Sequence, residues 1–504
     1  MIKFNKPQFP TVLILLLFVC IFIFLGFGNH LFSGPNGIHF MRQTDSLSFA
    51  SQYYNNNYHF FSPSLFNLKN NLGNAACEFP ITYFITSLLY GLFGEKFYIL
   101  KLLHLLIVYL GVFFAIKLIY EILKDKFYAI IIGLTLFTST VFNYYSFNYL
   151  PDAPALGFTF IAWYFTYQFQ KNKRTKTLII AFIFFTLSGL IKVTYLINPF
   201  SIIAYAILGL ILKHETLITY SNAKKIIFTG LTSTLIIVSW NIYVLYYNHV
   251  NHSNSFNTTA QPIWNMSKET FEITMNHMTE YWYNSYFFPS TFHFIYILTF
   301  VQILLYKKTD RKLTLLLVLL FLGSFSFLLL FFSQFKDHDY YFITFLPLFL
   351  FLLINGFKTM MNFSKNKYIH GIIKVILLTI VISGINYSKK GLGERFEFGK
   401  DIYSKTGLII KKHLHAIKKL NLPNNAKFIV APDLCPNDGL LYLNKMGWTI
   451  HESSEITLKQ IRHYQSLGAD YLLLVNENSK SDTIGKFVGK KIYTSKEICI
   501  YKVS

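Results

Sequence analysis

The feature that most constrains the fold is a series of long apolar runs separated by short loops, with basic clusters in alternate loops. Most runs are about long enough to cross a bilayer core at roughly 1.5 Å per residue. Lys and Arg concentrate beside the cytoplasmic ends of membrane helices. The five basic clusters lie at 117–126, 171–176, 213–225, 307–312 and 358–367. The chain is therefore predicted to be a polytopic membrane protein.

The composition points to the same class. Of 504 residues, 53% are hydrophobic and only 14% are charged, which argues against a soluble enzyme. The net charge of +22 by itself is typical of nucleic-acid binding. Because the cations lie between apolar runs, membrane topology explains them better, and no nucleic-acid partner is expected.

Eleven membrane spans are predicted. Lys3 and Lys6 precede the first span and hold the N-terminus in the cytoplasm, which leaves the C-terminus outside. The first run lacks a small-x-small cleavage site, so an uncleaved span is favoured over a signal peptide. The predicted spans are 9–28, 101–120, 127–147, 153–169, 177–193, 197–212, 226–247, 292–306, 313–332, 341–357 and 371–385.

The apolar run 79–93 decides the topology. It is short for a span and follows Glu78 and Pro80. All basic clusters become cytoplasmic only if this run stays on the outer side, as a helix at the membrane interface. The polar, aromatic-rich segment 39–61 then also lies outside.

Two domains are predicted. Residues 1–386 form the transmembrane domain, with juxtamembrane helices in its first outer loop, 29–98. Residues 387–504, the tail domain, read as a small α/β domain outside the membrane. Its predicted elements are an amphipathic helix at 399–420, strands at 428–431 and 471–475, a helix from an N-cap at Ser454 to about Gly468, and a hairpin of 491–494 with 498–503.

The four cysteines do little to constrain the fold or the function. Cys435 and Cys499 lie in the tail domain, where either a disulfide or two free thiols is compatible with the sequence, and free thiols are slightly favoured. No Cys/His set has the spacing of a zinc site.

Ionisable residues recur at the predicted outer ends of spans. A charge near a span is costly unless it is paired or faces water, so several at one depth predict a shared polar chamber. For any single residue, a solvated loop charge is an equally good interpretation. The set is Arg42, Asp45, Glu78, Asp152, Lys192, Lys336, Asp337, His338 and Asp339.

Asp45 and Asp152 are the candidate catalytic acids. Asp45 can act as the general base that takes a proton from a substrate hydroxyl. Asp152, between Pro151 and Pro154, can orient an acceptor hydroxyl. Together they are the candidate ligands of a divalent cation, Mg²⁺ or Mn²⁺, although a metal-free site is equally compatible. The structural alternative for both is a helix N-cap, at the start of 46–54 for Asp45.

Cations and aromatic residues offer a site for phosphate. Arg42 and Lys192, with Lys336, can clamp a phosphate, because guanidinium binds it in a bidentate way and ammonium as a point charge. His338, Tyr340 and Tyr341 can donate hydrogen bonds to it. An interfacial aromatic belt, and snorkelling for Lys336, are the alternatives.

Five segments carry a resemblance to a known superfamily. They are MRQTDS, EFPITYFITSLLYGLFG, YLPDAPAL, GLIKVT and HDYYFITFLP, in this order over about the first 350 residues. The sequence resembles the GT-C superfamily of membrane glycosyltransferases. Within it, the chain is similar to bacterial protein mannosyltransferases and lipid A aminoarabinose transferases, glycosyltransferase families 39 and 83.

The resemblance implies roles for individual residues. Asp45 would be the catalytic base and Asp152 a second acid, while Lys192 and the segment 338–341, with Asp339, would form the donor-phosphate pocket. The superfamily's commoner EKPP pattern is replaced here by Glu78, Phe79 and Pro80, without a lysine. Glu78 is expected to contact the substrate, and Arg42 is expected to substitute for the phosphate contact of the missing lysine.

The expected function is inverting transfer of a sugar from a polyprenyl-phosphate donor to a hydroxyl acceptor. The acceptor is expected to be a glycolipid such as lipopolysaccharide, a polysaccharide or a protein, reached at the outer face of a bacterial cytoplasmic membrane. A transporter or lipid flippase is the alternative, although it predicts charges midway along spans. A polysaccharide polymerase is also compatible with the sequence.

Overall fold

A computed structural model describes residues 9–212, 219–256, 260–397, 399, 401–475 and 489–503. The chain is mostly helical and ends in a small sheet, as the sequence predicts. The helices of the described residues are α1 (Thr11–Phe24), α2 (Phe40–Asn55), α3 (Ile81–Phe93), α4 (Tyr98–Leu123), α5 (Lys126–Leu134), α6 (Thr140–Ser146), α7 (Asp152–Asn172), α8 (Thr175–Ile191), α9 (Ile197–Ile211), α10 (Tyr220–Val250), α11 (Lys268–Asn276), α12 (Tyr283–Tyr286), α13 (Pro289–Leu304), α14 (Arg311–Leu330), α15 (Leu346–Phe363), α16 (Lys367–Arg395), α17 (Lys405–Lys418), α18 (Asp438–Leu443) and α19 (Leu458–Ser466).

Every predicted span coincides with helical structure. Among the described residues, six helices are long and apolar enough to cross a membrane, and a seventh span results if the pair around α5 and α6, bent by 85°, is counted as one. The six are α4, α9 with the 3-10 turn before it, α10, α14, α15 with the 3-10 turn before it, and α16. The apolar helices α1, α8 and α13 are shorter. The multi-pass character is confirmed, and the number of eleven stays a prediction.

Close helix packing in this bundle depends on small residues. A Cβ on Gly111 of α4 would lie 2.4 Å from the Cα of Gly157 of α7. A Cβ on Gly157 would lie 2.6 Å from the carbonyl oxygen of Ile107. Only glycine lets the two backbones approach this closely, which is a common solution between membrane helices.

The chain divides into two compact units that do not follow the predicted domain boundary at 386. Of the described residues, the first unit contains 9–30, 101–241 and 260–394, and the second contains 31–100, 242–256 and 395–503. The first outer loop and the tail domain therefore pack within the same unit.

The tail domain contains a five-stranded sheet in its described residues, ordered β2-β1-β3-β5-β4. Strands β1 (Phe428–Ala431), β2 (Gly447–Thr449) and β3 (Tyr471–Val475) are parallel, whereas β5 (Ile498–Lys502) runs antiparallel to β3 and to β4 (Lys490–Thr494). Alternation and apolar runs correctly predict β1, β3 and the terminal hairpin. The sequence reasoning missed β2 and α18.

In the tail domain, two helices differ from their predicted bounds, and the two cysteines do not form a disulfide. The amphipathic helix α17 is shorter than 399–420. Helix α19 begins at Leu458 and its N-cap is Thr457, whose hydroxyl accepts from the Gln460 N–H, so the assignment to Ser454 is wrong. Cys435 and Cys499 are free thiols.

The first outer loop extends this sheet within the second unit. Residues Phe66 to Leu68 run beside the start of β2. The Leu68 N–H donates to the Gly447 carbonyl at 2.7 Å, and the Gly447 N–H donates to the Phe66 carbonyl at 3.1 Å. The edge of a sheet offers unpaired backbone groups, which this loop satisfies. The pairing fixes the loop that carries α2 against the tail domain.

Helix α3 has two different faces. Tyr83 and Tyr90 are buried, and the Tyr83 ring stacks on Phe49 of α2 at 5.7 Å between centroids. Leu92 and Phe93 are exposed. An apolar face without protein cover on a 13-residue helix is typical of a helix lying at a membrane interface, in line with the topology expected for 79–93.

Candidate functional site

The predicted site residues fall into two clusters, one in each unit. The Asp45 cluster, in the second unit, consists of Arg42, Asp45, Glu78, Tyr83 and Asn437. The Lys192 cluster, in the first unit, consists of Tyr145, Asp152, Lys192, Asp339, Tyr340 and Tyr341.

Asp45 lies inside a helix. Helix α2 begins at Phe40, so Asp45 occupies its second turn, and the alternative interpretation as an N-cap is wrong. The residue is only 9% exposed. Its Oδ1 accepts a hydrogen bond of 2.9 Å from Asn437 Nδ2. A buried carboxylate needs such partners, because desolvation disfavours the charged form.

The environment of Asp45 suits a general base. Burial raises its pKa to about 6, against the Arg42 guanidinium and the Asn437 hydrogen bond, which lower it. A carboxylate of this pKa is still ionised at neutral pH and is a stronger base than an exposed one. Perturbed carboxyl groups of this kind are typical of catalytic sites.

Arg42 is held by Glu78. The guanidinium forms an ion pair with the Glu78 carboxylate, which also accepts from the Tyr83 hydroxyl. Burial acts to raise the pKa of Glu78, but Arg42 and the Tyr83 hydrogen bond outweigh it and the pKa is lowered. The Phe256 ring lies 5.3 Å from the guanidinium. The arrangement fixes a positive charge near Asp45, while phosphate binding by Arg42 and a substrate contact by Glu78 stay predictions.

Asp152 and Lys192 form the centre of the second cluster. Asp152 is the first residue of α7, whose N-cap is Pro151, so the alternative interpretation as an N-cap is wrong here too. Its carboxylate is 1% exposed and lies 3.0 Å from the Lys192 ammonium. The backbone carbonyl of Asp152 accepts from the Tyr195 hydroxyl at 3.0 Å.

Two tyrosine rings cover the Lys192 ammonium. Its Nζ lies 5.1 Å from the centroid of Tyr340 and 4.7 Å from that of Tyr341. Both tyrosines belong to the 3-10 turn Asp339–Phe345, which precedes α15. Cation–π contacts orient a lysine without neutralising it. The Lys192 side chain is 20% exposed, and phosphate binding by its ammonium stays a prediction.

Asp339 and His338 hold this turn in place. Asp339 is fully buried and accepts from the Tyr145 hydroxyl at 2.6 Å. The His338 ring packs against Tyr340 and Tyr341, with centroids 5.2 and 5.6 Å apart. These contacts shape the aromatic cover of Lys192, and direct substrate contacts by these residues stay predictions.

Three residues of the clusters were missed from the sequence. Tyr83 and Tyr145 lie in aromatic-rich segments, where nothing distinguishes a hydrogen-bonding tyrosine from a packing one. Asn437 had a usable signal, because it lies in the loop after a predicted buried strand, β1, and loops at the carboxyl ends of parallel strands often reach functional sites.

The predicted divalent cation fits these residues poorly. In the described part of the chain, no group of three or more His, Cys, Asp or Glu side chains is placed to hold a metal ion. Asp152 already faces the Lys192 ammonium, and the Arg42 guanidinium acts on Asp45. A positive charge at each carboxylate disfavours a second one.

Comparison with solved structures decides the fold. ArnT from Cupriavidus metallidurans, in its apo state and bound to undecaprenyl phosphate, matches with a TM-score of 0.59 and 10% identity, over 97% of this chain and 98% of that chain. The apo oligosaccharyltransferase of Archaeoglobus fulgidus matches with a TM-score of 0.56 and 11% identity, over 99% of this chain and 75% of that one. The chain has the GT-C fold.

The chain was also compared with protein-family models and with curated protein sequences. The family model described as dolichyl-phosphate-mannose-protein mannosyltransferase matches residues 78–244, which include Asp152 and Lys192 but not Asp45. No curated protein sequence matches significantly. The matched family model is that of a glycosyltransferase, and the likeness to solved structures confirms the expected GT-C fold. The A. fulgidus enzyme has also been crystallised with Zn and sulfate, with a TM-score of 0.55, 12% identity and coverage of 97% and 73%.

Proposed function

We propose that this GT-C protein transfers a sugar from a polyprenyl-phosphate donor to a hydroxyl acceptor. The observation that carries the proposal is Asp45, a buried carboxylate anchored through one oxygen, with a pKa of about 6. A neighbour of the same fold was crystallised with undecaprenyl phosphate, which supports a lipid-phosphate donor.

The reaction is a single displacement. Asp45 takes the proton of the acceptor hydroxyl as its oxygen attacks the anomeric carbon of the donor. The bond from that carbon to the phosphate oxygen breaks, and its electron pair stays on the polyprenyl phosphate. One displacement inverts the configuration at the anomeric carbon.

The Lys192 cluster would stabilise the leaving phosphate. Charge develops on the phosphate oxygen as the bond breaks, and a fixed cation in a partly dry site stabilises that charge strongly. Asp152 and the two rings hold the ammonium, so little reorganisation is needed. A lysine ammonium binds phosphate as a point charge.

Both clusters are expected to act on the outer side of a bacterial cytoplasmic membrane. The alternation of basic loops predicts the segments of Asp45 and Lys192 on that side. The proposed acceptor is a glycolipid such as lipopolysaccharide, a polysaccharide or a protein. A transfer assay has to identify which of these classes accepts the sugar.

A transfer assay tests the function. Membranes containing the wild type are incubated with a panel of radiolabelled undecaprenyl-phosphate hexoses and pentoses, and label is followed into water-soluble, lipid and protein fractions. We expect one donor to be consumed, and only in membranes that contain the protein. Consumption of none would contradict the proposal. A chelator arm tests the predicted cation, since loss of transfer with chelator would show that one is required.

A further inference from the structure

We propose that Asn437, in the tail domain, is a positioning residue for the catalytic carboxylate of Asp45. The inference rests on the proposed function and adds to it a role for the C-terminal domain. That role was not predicted from the sequence.

The hydrogen bonds of Asn437 fix the orientation of its amide. Asn437 is 1% exposed, and its Oδ1 accepts from the backbone N–H of Asn67 at 3.1 Å. A backbone N–H can only donate, so the oxygen of the amide must face Asn67. The NH₂ group therefore faces Asp45, at 2.9 Å from Oδ1. Asp45, which is acceptor-only when ionised, is the partner that this NH₂ group requires.

The loop that carries Asn437 is fixed at several points. It connects β1 to α18, and the Asp433 carboxylate closes it by accepting from the N–H groups of Cys435 at 3.0 Å and Gly439 at 2.9 Å. The side chain of Asn67 adds two more bonds, to the Pro436 carbonyl at 2.7 Å and the Thr449 hydroxyl at 2.9 Å. Asn437 is thus presented by a rigid support, which a positioning residue needs.

Helix α2 meets this loop at a second point. The Thr44 hydroxyl lies 3.1 Å from the Cys435 thiol, and both groups are buried. On the other side of the helix, Ser46 lies 3.2 Å from the Tyr83 hydroxyl. The backbone of Asp45 is therefore held by its neighbours, and the bond from Asn437 sets the rotamer of the carboxylate.

The chemical consequence concerns the two oxygens of Asp45. Asn437 holds Oδ1, which leaves Oδ2 as the oxygen that takes the acceptor proton. Misplacing a base by about 1 Å can lower the rate on the order of 100-fold. Without Asn437, the carboxylate loses its anchor but keeps its charge. The rate of chemistry should then fall, while binding of the donor should not.

The experiment compares three variants of the full-length protein in membranes. Asn437→Leu removes both amide hydrogen bonds and keeps the branching of the side chain at Cγ, and Asn437→Asp keeps the acceptor for the Asn67 N–H but turns a carboxylate oxygen toward Asp45. Asn55→Ala is the matched control. It breaks a 3.2 Å bond from α2 to Asn444 of the tail domain that lies at the surface, away from Asp45.

We expect Asn437→Leu to lower kcat about 10- to 100-fold with KM for the donor within about twofold. Asn437→Asp should lower kcat at least as much, and Asn55→Ala should leave both constants unchanged. A purely structural role would instead lower the amount of folded protein, or would affect Asn55→Ala similarly. Either result, or wild-type kcat in Asn437→Leu, would overturn the inference.

A second measurement does not depend on catalysis. Thermal unfolding of Asp45→Asn, Asn437→Asp and the double variant should show non-additive shifts in Tm, because the double variant exchanges donor and acceptor and restores the bond. It should still lack transfer, since the carboxylate has moved. Additive shifts would show that the two side chains do not form this contact.

Failure of the proposed function can be told apart from failure of this inference. If the wild type transfers sugar from no donor at all, the proposed function fails and this inference fails with it. Equal kcat in wild type and Asn437→Leu overturns only the inference.

Discussion

Lys192 holds its ammonium 3.0 Å from the carboxylate of Asp152, and the two partners differ sharply in burial. Asp152 is 1% exposed and Lys192 is 20% exposed at the side chain. The two rings over the ammonium give the lysine contacts that do not depend on Asp152. The pair is therefore asymmetric, and losing the lysine removes a cation from the more buried of the two charges.

The first prediction tests this asymmetry in stability. Lys192→Met should destabilise the protein by about 3–5 kcal/mol, because the buried carboxylate of Asp152 loses its cation. Asp152→Asn should lower the free energy of unfolding by less, since the remaining lysine side chain is partly exposed and keeps its contacts with the two tyrosine rings. Thermal unfolding in detergent measures both, with the double variant as control for coupling. Equal losses that add in the double variant would contradict an interacting pair.

The second prediction concerns the contact of α4 with α7. Gly157→Ala should destabilise the helix bundle by at least 1–3 kcal/mol, on the order expected for overpacking, because the added methyl meets the Ile107 carbonyl. Gly371→Ala in α16 is the matched control, since a Cβ there meets nothing within 4 Å. The control should be neutral or slightly stabilising. Equal Tm values for the two variants would mean that α4 and α7 do not pack this closely.

The third prediction is a pH dependence of transfer. A general base must be deprotonated, and burial raises the pKa of Asp45 to about 6. The plot of kcat/KM against pH should therefore rise through about pH 6 and level off above it. A profile that is flat between pH 5 and about 7.5 would argue against Asp45 as the base.

The fourth prediction concerns the stability of the tail domain. Asp433 and Asp438 are fully buried, and burial raises the pKa of both carboxyl groups. The unfolded chain loses these protons near pH 4, whereas the folded chain keeps them to higher pH. The contribution of these two groups to stability should therefore be greatest below about pH 4 and should fall as pH rises toward the folded-state pKa values. Hydrogen exchange of β1 in the full-length protein, corrected for the intrinsic rate, measures this.

Asp438→Asn is the variant that checks the cause. Asp438 Oδ2 accepts from the Gly407 N–H at 2.6 Å, and Oδ1 has no hydrogen-bond partner among the described residues. An amide can keep the first bond without carrying a charge. The variant should exchange more slowly than wild type at neutral pH and show a flatter pH dependence. An unchanged slope would assign the effect to other groups.

Much of the fold follows from patterns that a sequence shows directly. Apolar runs and the alternation of basic loops mark each helix of the bundle, and short apolar runs mark β1 and β3. Capping was less predictable, as Asp45, Asp152 and Ser454 show. A side chain suited to capping is equally suited to an ion pair or a buried hydrogen bond, and the choice depends on residues distant in sequence.

The partners of the candidate site could not be predicted for the same reason. Asn437 is 392 positions from Asp45 in the chain, and no local pattern joins them. The ion pair of Arg42 with Glu78 was also missed, because both residues were interpreted as ligands of a substrate. Charges that stand alone in a sequence often compensate one another in the fold.

The most direct test of the account is transfer by the purified Asp45→Asn variant, with undecaprenyl-phosphate binding measured on the same sample. Asparagine keeps the size of the side chain and removes the base. We predict binding within about twofold of wild type and transfer lower by 10²- to 10⁴-fold, on the order expected for loss of a general base. Transfer at the wild-type rate would show that Asp45 is not the catalytic base.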